Sequence, residues 1–399
     1  LYRWLIRSSI SLAAATAKKA LARTDSATDQ FAGIALAQLL SDDRTYGLSV
    51  AHQFLETDSR TLLAALGSAY SAFVPNGKVY DEEDIAILQK ILSSTDQWIL
   101  CNAVDAMRTV QQVAGNNPRL VIDLLKCVDL SISNRVTDQV FMLFREEEEL
   151  FRALTEEDIK YFLEKLIPLP RLEGYWVDTF LSRLSKYNAQ FTADFFMARV
   201  EYAAETKKDW PYLPCNYGPF LQVPLRFRES TEFGLLLRQI YQWMKSKAED
   251  DYFRHRASEL FDAMFSPFDR ELISFIEDWI DESTPSDMRI ITQILNEAHR
   301  NFVFEHQGFV VRFLDRAKQA GKQVLNDAVD ALYRSATTGS KSGPTGEPFA
   351  EDLVMKEEAE KALKEIPRFS PAYKLYELIK SNAEGSIQWS LKRGEAFED

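Results

Sequence analysis

The sequence predicts an all-α protein, and two observations carry that prediction. Apolar residues recur at the spacing of one helix face along most of the 399 residues, as in the stripe of Ile159, Phe162, Leu163, Leu166 and Ile167. Conversely, no stretch alternates apolar and polar residues in the way that a half-buried β-strand requires. Helices are therefore expected throughout, and no sheet.

Several predicted helices carry recognisable starting signals. The segments Thr155–Asp158, Ser266–Asp269 and Thr284–Asp287 each combine a hydroxyl residue with an acid three positions later. Two of them also carry a proline at the first helical position. An acid in the first turn suits the positive end of the helix dipole. We expect a helix to begin at each of these three segments.

The spacing of the predicted helices suggests a repeat. Successive starts lie roughly 14 to 20 residues apart, so a helix pair occupies about 35 to 40 residues, as in two-helix repeats. Ser93–Val128 reads as one such pair, with Leu100, Val104 and Met107 inside its first helix and a turn at Gly115–Pro118. This segment resembles a HEAT-type repeat. The resemblance implies a right-handed α-solenoid of antiparallel helix pairs.

The resemblance covers about Asp25–Tyr333, and a non-repetitive all-α domain with long antiparallel helices is the alternative. The predicted organisation is a helical-repeat region over residues 1–335, interrupted at 206–230 by a loop rich in proline and aromatic residues. A flexible linker at 336–350 follows, because glycine, serine and threonine dominate it. Residues 351–399 are expected to form a helical hairpin that caps the last repeat.

Composition excludes several classes of protein. A formal net charge of −13 disfavours binding to phosphate backbones and anionic lipids. The cysteines, Cys101, Cys127 and Cys215, form no CxxC pair, which argues against a disulfide framework or a thiolate zinc site and fits a reducing cytoplasm. No apolar run reaches the roughly 18 residues of a membrane span. A cytoplasmic protein that binds no membrane is expected.

The glycine-rich run Ala336–Asp352 invites comparison with a phosphate-binding loop. That loop requires glycine immediately before a Lys-Ser/Thr pair, and it follows a buried strand. Here Ser340 precedes Lys341, Gly339 lies two residues before that lysine, and a predicted helix comes first. The run is therefore interpreted as a linker that binds no nucleotide.

No constellation of residues predicts catalysis or metal binding. His299 and His306 are seven residues apart, which places them roughly 10 Å apart on a helix, too far to share a metal directly. The acidic run within Arg145–Asp158 is typical of a solvated helix face. We expect no catalytic residue, no metal and no cofactor, so the chain is predicted not to be an enzyme.

A partner-binding surface is predicted where basic and aromatic residues concentrate in this acidic chain. Arginine and aromatic residues dominate binding hot spots, although arginine stems also cover apolar helix faces and tyrosine and tryptophan at helical spacing also form core. The predicted partner-binding residues are Trp210, Tyr217, Arg226, Arg228, Arg238, Trp243, Arg254, His255 and Arg256.

These features together favour a non-catalytic protein-interaction or sensor module. The first residue is Leu1, and we expect the chain to be the C-terminal part of a larger multidomain protein, with another protein or its own upstream domains as partner. The alternative is a nucleic-acid-binding helical-repeat protein, similar to the HEAT-like glycosylases, using the same basic and aromatic groove. A metal-dependent hydrolase built on His299 and His306 is a third hypothesis.

Overall fold

A computed structural model of the chain describes residues 2–22, 29–76, 79–113, 117–146, 148–169, 172, 174–206, 223–247, 250–281, 283–338 and 346–398. Over these residues the chain is 81% helix and contains no strand, which confirms the predicted all-α class. Short 3₁₀ helices occur at Leu130–Ile132 and Phe227–Glu229.

The α-helices of the described residues are α1 Tyr2–Arg7, α2 Ile10–Leu21, α3 Asp29–Asp42, α4 Arg44–Leu55, α5 Arg60–Tyr70, α6 Glu82–Leu92, α7 Gln97–Val113, α8 Pro118–Leu125, α9 Asn134–Glu146, α10 Glu148–Arg152, α11 Glu156–Leu166, α12 Tyr175–Tyr187, α13 Ala189–Thr206, α14 Phe233–Ser246, α15 Asp251–Phe265, α16 Arg270–Asp281, α17 Pro285–Asn296, α18 Phe302–Glu305, α19 Gln307–Ala320, α20 Lys322–Thr337, α21 Ala350–Glu365 and α22 Pro371–Glu398.

The helices fall into two compact units, and the boundary between them lies near the end of α13. In the first unit, α3, α5, α7, α9 and α12 form a succession in which each helix packs against the next. The helices α4, α6, α8 and α10 form a second succession of the same kind. Each helix of this unit therefore packs mainly against helices close to it in chain order.

The second unit repeats this scheme with α15, α17, α20 and α22 as its main succession. The helix α16 packs against α19, and α19 packs against α22. The C-terminal helices α21 and α22 pack along each other, and α22 covers α20 and α19. The helix α20 runs to Thr337, and α21 begins at Ala350.

Hydrogen bonds between elements recur at a nearly constant separation in sequence. In the first unit, Ser68 Oγ donates to Asn102 Oδ1 across 34 residues, and the Trp176 amide donates to Asp138 across 38. In the second unit, Ser335 Oγ donates to the Ala298 carbonyl across 37 residues. These bonds connect elements that lie about one helix pair apart in the chain.

Buried aspartates at the third position of helices form a second kind of contact between helices. Asp158 on α11 is only 1% exposed, and its own helix start contributes a hydrogen bond of 2.9 Å from the Thr155 amide. Arg119 Nη2 donates to Asp158 Oδ1 at 2.8 Å, and the Lys126 ammonium pairs with the same oxygen. The Arg119 guanidinium holds the pKa of Asp158 well below its usual range.

The same arrangement occurs at other helix starts. Arg44 pairs with buried Asp84 on α6 at 2.6 Å, and the Tyr70 hydroxyl donates to that carboxylate at 2.7 Å. In the second unit, Lys245 of α14 pairs with buried Asp287 on α17 at 3.1 Å. In each case, a cation from a preceding helix neutralises an acid that folding removes from water.

The structure confirms two of the three predicted helix starts. Thr155 and Thr284 each form a capping box, as predicted. The start at Ser266 is wrong, because α16 begins at Arg270 and Asp269 accepts the Leu272 amide at 3.1 Å. The Arg228 side chain donates to the Pro267 carbonyl, and this contact holds the preceding residues in a non-helical link.

Two glycines allow close crossings between consecutive helices of the first succession. A Cβ on Gly33 of α3 would lie 2.8 Å from the Ser68 Cβ of α5. A Cβ on Gly67 of α5 would lie 2.6 Å from the Asn102 carbonyl carbon of α7. Such distances are shorter than any real contact, so only glycine permits these crossings.

Replacing Gly67 with alanine tests this packing. We expect Gly67→Ala to lower the free energy of unfolding by about 1 to 3 kcal/mol, because the added methyl must push α5 and α7 apart. Urea and thermal denaturation measure the change. Gly308→Ala is the control, since a Cβ there meets nothing within 4 Å. Equal stability of the Gly67→Ala variant and the wild type would contradict the close crossing.

Candidate functional site

The predicted partner-binding residues that the structure describes occupy separate places on the second unit. Trp210 and Tyr217 lie outside the described residues. Arg226 and Arg228 lie at the 3₁₀ helix before α14, Arg238 and Trp243 lie on α14, and Arg254, His255 and Arg256 lie on α15.

The two arginines at the 3₁₀ helix are engaged with the protein itself. Arg226 forms a two-pronged pair with Glu229, with both N···O distances at 2.5 Å. Arg228 donates to the Pro267 carbonyl at 2.8 Å and pairs with Asp269 at 2.6 Å. Arg228 therefore fixes the start of α16, which is a structural role.

Two of the basic residues of α15 share an acid on their own helix. Arg256 pairs with Glu259 at 3.0 Å, and His255 approaches the same carboxylate at 3.6 Å. Trp243 packs edge to face on Phe253, with ring centroids 4.8 Å apart, and so joins α14 to α15. These side chains are held by neighbours and do not form one continuous basic strip.

Arg238 instead faces a groove between α14 and α16. This α14–α16 groove has a volume of about 540 Å³. Its lining residues are Arg238, Tyr241, Gln242, Lys245, Phe275, Asp278, Trp279, Asp281 and Asp287. Arg238, Tyr241 and Lys245 reach it together because they lie three and four residues apart on one face of α14.

An aromatic pair forms the centre of the α14–α16 groove. The rings of Tyr241 and Trp279 stack with centroids 4.1 Å apart and planes only 3° from parallel. Tyr241 is buried, and burial raises the pKa of its hydroxyl, which therefore stays neutral. Trp279 is partly exposed and offers an apolar surface to an incoming side chain.

The charges around this aromatic pair are mixed. Lys245 is paired with Asp287 at 3.1 Å, and Asp281 is paired with Arg312 at 3.0 Å. Arg238 on α14 and Asp278 on α16 are exposed at the groove and carry opposite signs. The groove therefore presents one positive and one negative side chain on opposing helices, in addition to the pairs that are already satisfied.

The two histidines singled out by the sequence bind different partners. His299 Nε2 lies 3.0 Å from Glu305 Oε2, and His306 Nε2 donates to the Phe268 carbonyl at 3.0 Å. Within the described ranges, no group of three or more histidine, cysteine, aspartate or glutamate residues could hold a metal ion. The hydrolase hypothesis gains no support from this arrangement.

Other sequence features can be placed only in part. Cys101 and Cys127 are free thiols, while Cys215 lies outside the described residues. Residues 339–345 of the glycine-rich run also lie outside them. Among the helices that the structure describes, none combines the length and the apolar character needed to cross a bilayer.

A carboxyl pair that no sequence pattern indicates lies at the contact between α9 and α12. Asp138 Oδ1 accepts the Trp176 amide at 2.9 Å and so caps α12, where Gly174 provides no side-chain cap. A Cβ at Gly174 would lie 2.3 Å from Asp138 Oδ1, so a larger residue there would displace the carboxylate that caps α12. Asp178, one turn further along α12, is 5% exposed, and its Oδ1 has no hydrogen-bond partner.

This environment favours the neutral form of Asp178. Burial, together with the smaller effect of the neighbouring Asp138 charge, raises the pKa of Asp178 to about 8. Burial also raises the pKa of Asp138. The pair could be found only in three dimensions, because its members lie on different helices and match no motif.

Replacing Asp178 with asparagine should stabilise the protein in a pH-dependent way. Because the folded-state pKa lies above the unfolded value, the wild type loses stability as pH rises from about 4 to about 8. Asparagine mimics the neutral acid and avoids that loss. We expect the stability gain of Asp178→Asn to be at least about 1 kcal/mol larger at pH 8 than at pH 4.5.

Denaturation across this pH range measures the difference between the Asp178→Asn variant and the wild type. Asp315→Asn removes one negative charge from an exposed position on α19 and is the matched control. A difference between the Asp178→Asn variant and the wild type that does not change with pH would show that Asp178 is ionised in the folded protein.

Comparison with known proteins places this chain in no established group. No protein-family model, no curated protein and no solved structure matches it.

Proposed function

We propose that this chain is a non-catalytic helical-repeat module that binds another protein through the α14–α16 groove. The architecture proposed is a right-handed α-solenoid of antiparallel helix pairs. The observation that carries the proposal is the recurrence of hydrogen bonds between elements 30 to 43 residues apart in sequence.

A solenoid accounts for this recurrence. Each repeat of a solenoid contacts only its neighbours, so its contacts gather at a separation of one repeat. The bonds Ser68–Asn102, Asp138–Trp176 and Ala298–Ser335 span 34, 38 and 37 residues, within the range of two-helix repeats. A non-repetitive bundle has no reason to favour one separation, and both units favour the same one.

The α14–α16 groove has the features of a peptide-binding site. Stacked Tyr241 and Trp279 supply a rigid aromatic surface, and aromatic residues and arginine dominate binding hot spots. Exposed Arg238 and Asp278 lie on opposite walls. The partner that complements them is a peptide segment with an apolar side chain for Trp279, flanked by an acid for Arg238 and a base for Asp278.

The charges of the groove disfavour the nucleic-acid alternative. A strand of nucleic acid requires a run of free cations along its phosphates. Here Lys245 is neutralised by Asp287, and the exposed Asp278 would repel a phosphate. The pattern is better matched to a partner that carries both signs of charge.

A photo-crosslinking residue in place of Gln242 tests the assignment, because this exposed side chain lines the groove. We expect it to capture one protein from cells of the natural host. With that protein purified, Arg238→Glu and Trp279→Ala should each weaken binding at least about tenfold in calorimetry. Lys364→Glu, an exposed charge reversal on α21, should leave the affinity unchanged.

The opposite results would contradict the proposal. Equal affinity of the Arg238→Glu variant and the wild type would exclude the α14–α16 groove as the binding surface. Binding to single-stranded or double-stranded nucleic acid that weakens steeply with salt would instead favour the alternative function.

A further inference from the structure

The last helix, α22, has one packed side and one open side. It is 28 residues long and packs against α19, α20 and α21. The residues that it buries there include Ala372, Leu375, Tyr376, Ile379 and Ala383. Tyr376 is anchored on this side by a hydrogen bond from its hydroxyl to the Val303 carbonyl.

The open side carries a stripe at helical spacing. We define the outer stripe of α22 as Leu378, Ser381, Gly385, Trp389 and Lys392, which follow one another at intervals of three or four residues. All five are exposed, and Leu378 and Trp389 expose 42% and 55% of their surface. Large apolar side chains aligned on one helix face are typical of a surface that another element covers.

Gly385 at the centre of this stripe has no explanation within the chain. A glycine inside a helix costs about 1 kcal/mol relative to alanine. Gly33, Gly47 and Gly67 are required, because a Cβ on each would meet a neighbouring helix at less than 3 Å. A Cβ on Gly385 would meet nothing within 4 Å. The open space above Gly385 is therefore suited to another helix at close approach.

We propose that the outer stripe of α22 is a dimer interface, in which two copies of this chain cross antiparallel at Gly385. In a two-fold symmetric dimer, a residue that lies on the axis faces the same residue of the second chain. A close crossing of the two helices at that point therefore requires glycine. Residues four positions before and after the axis then lie level, which sets large Trp389 against small Ser381 of the second copy. This pairing of large and small side chains gives complementary surfaces.

Charge selects the antiparallel arrangement. In it, Lys392 of one copy lies level with Leu378 of the other and close to Glu377, seven and eight residues from the axis. Its aliphatic stem covers the leucine, and its ammonium reaches the glutamate. A parallel pair would instead set Lys392 against Lys392 and Glu377 against Glu377, which is unfavourable.

Sedimentation velocity and light scattering of the purified chain test this proposal. We expect the mass to rise with concentration from 45.8 kDa towards twice that value. Gly385→Leu should raise the dimer dissociation constant at least about tenfold, because leucine on the axis blocks the crossing while favouring the helix. Gly308→Leu places the same side chain at another open helical glycine and should leave the dimer intact. Circular dichroism confirms that both variants fold.

A charge exchange tests the register. Glu377→Lys and Lys392→Glu should each weaken the dimer, and the double variant should recover most of the loss. Gly385→Cys should form a disulfide-linked dimer on mild oxidation, whereas Gly308→Cys should not. A wild-type chain that stays at 45.8 kDa up to about 100 µM overturns the proposal, and so does a dimer that Gly385→Leu leaves unchanged.

Discussion

The fold depends on cations that reach buried aspartates at the starts of later helices. Asp84, Asp158 and Asp287 are almost fully buried, and a carboxylate without a partner in such a place costs several kcal/mol. Each is satisfied from two sides, by the backbone of its own first turn and by a basic side chain from an earlier helix, such as Arg119 or Lys245. Because neither helix can move without leaving a charge unpaired, the ion pair fixes both the position and the order of successive helices.

Sequence patterns predicted the local structure well, because helix starts and apolar stripes are encoded within a few residues. Thr155 and Thr284 cap their helices as expected, since the bonds of a capping box form within a single first turn. Ser266 was wrongly predicted to start a helix, because a distant residue, Arg228, holds its segment in another conformation. The Asp138–Trp176 cap was also missed, since no local pattern links two different helices.

The proposed partner-binding surface was only partly predictable from the sequence, for an electrostatic reason. A cluster of basic residues in a chain of net charge −13 lies among many acids, and folding pairs the two. Glu229 and Glu259 each form an ion pair with an arginine that was predicted to bind a partner. What remains at the α14–α16 groove is the exposed pair of Arg238 and Asp278 beside an aromatic stack. The net surface is therefore mixed in charge, and it favours a partner of mixed charge over a polyanion.

The helical glycines of this protein fall into two groups. At some a Cβ would clash with a neighbouring helix, and at others it would meet open space. Gly67 is explained by a neighbour already present, because the α7 backbone occupies the volume of the missing side chain. Gly385 pays the same conformational cost in α22 without any such neighbour. Gly308 also has open space around it, but it is the second residue of α19, whereas Gly385 lies in the interior of α22, where glycine costs about 1 kcal/mol relative to alanine. We therefore ascribe Gly385 to a contact made outside the chain. Its place between Leu378 and Trp389, which are also exposed, sets that contact on the outer stripe of α22.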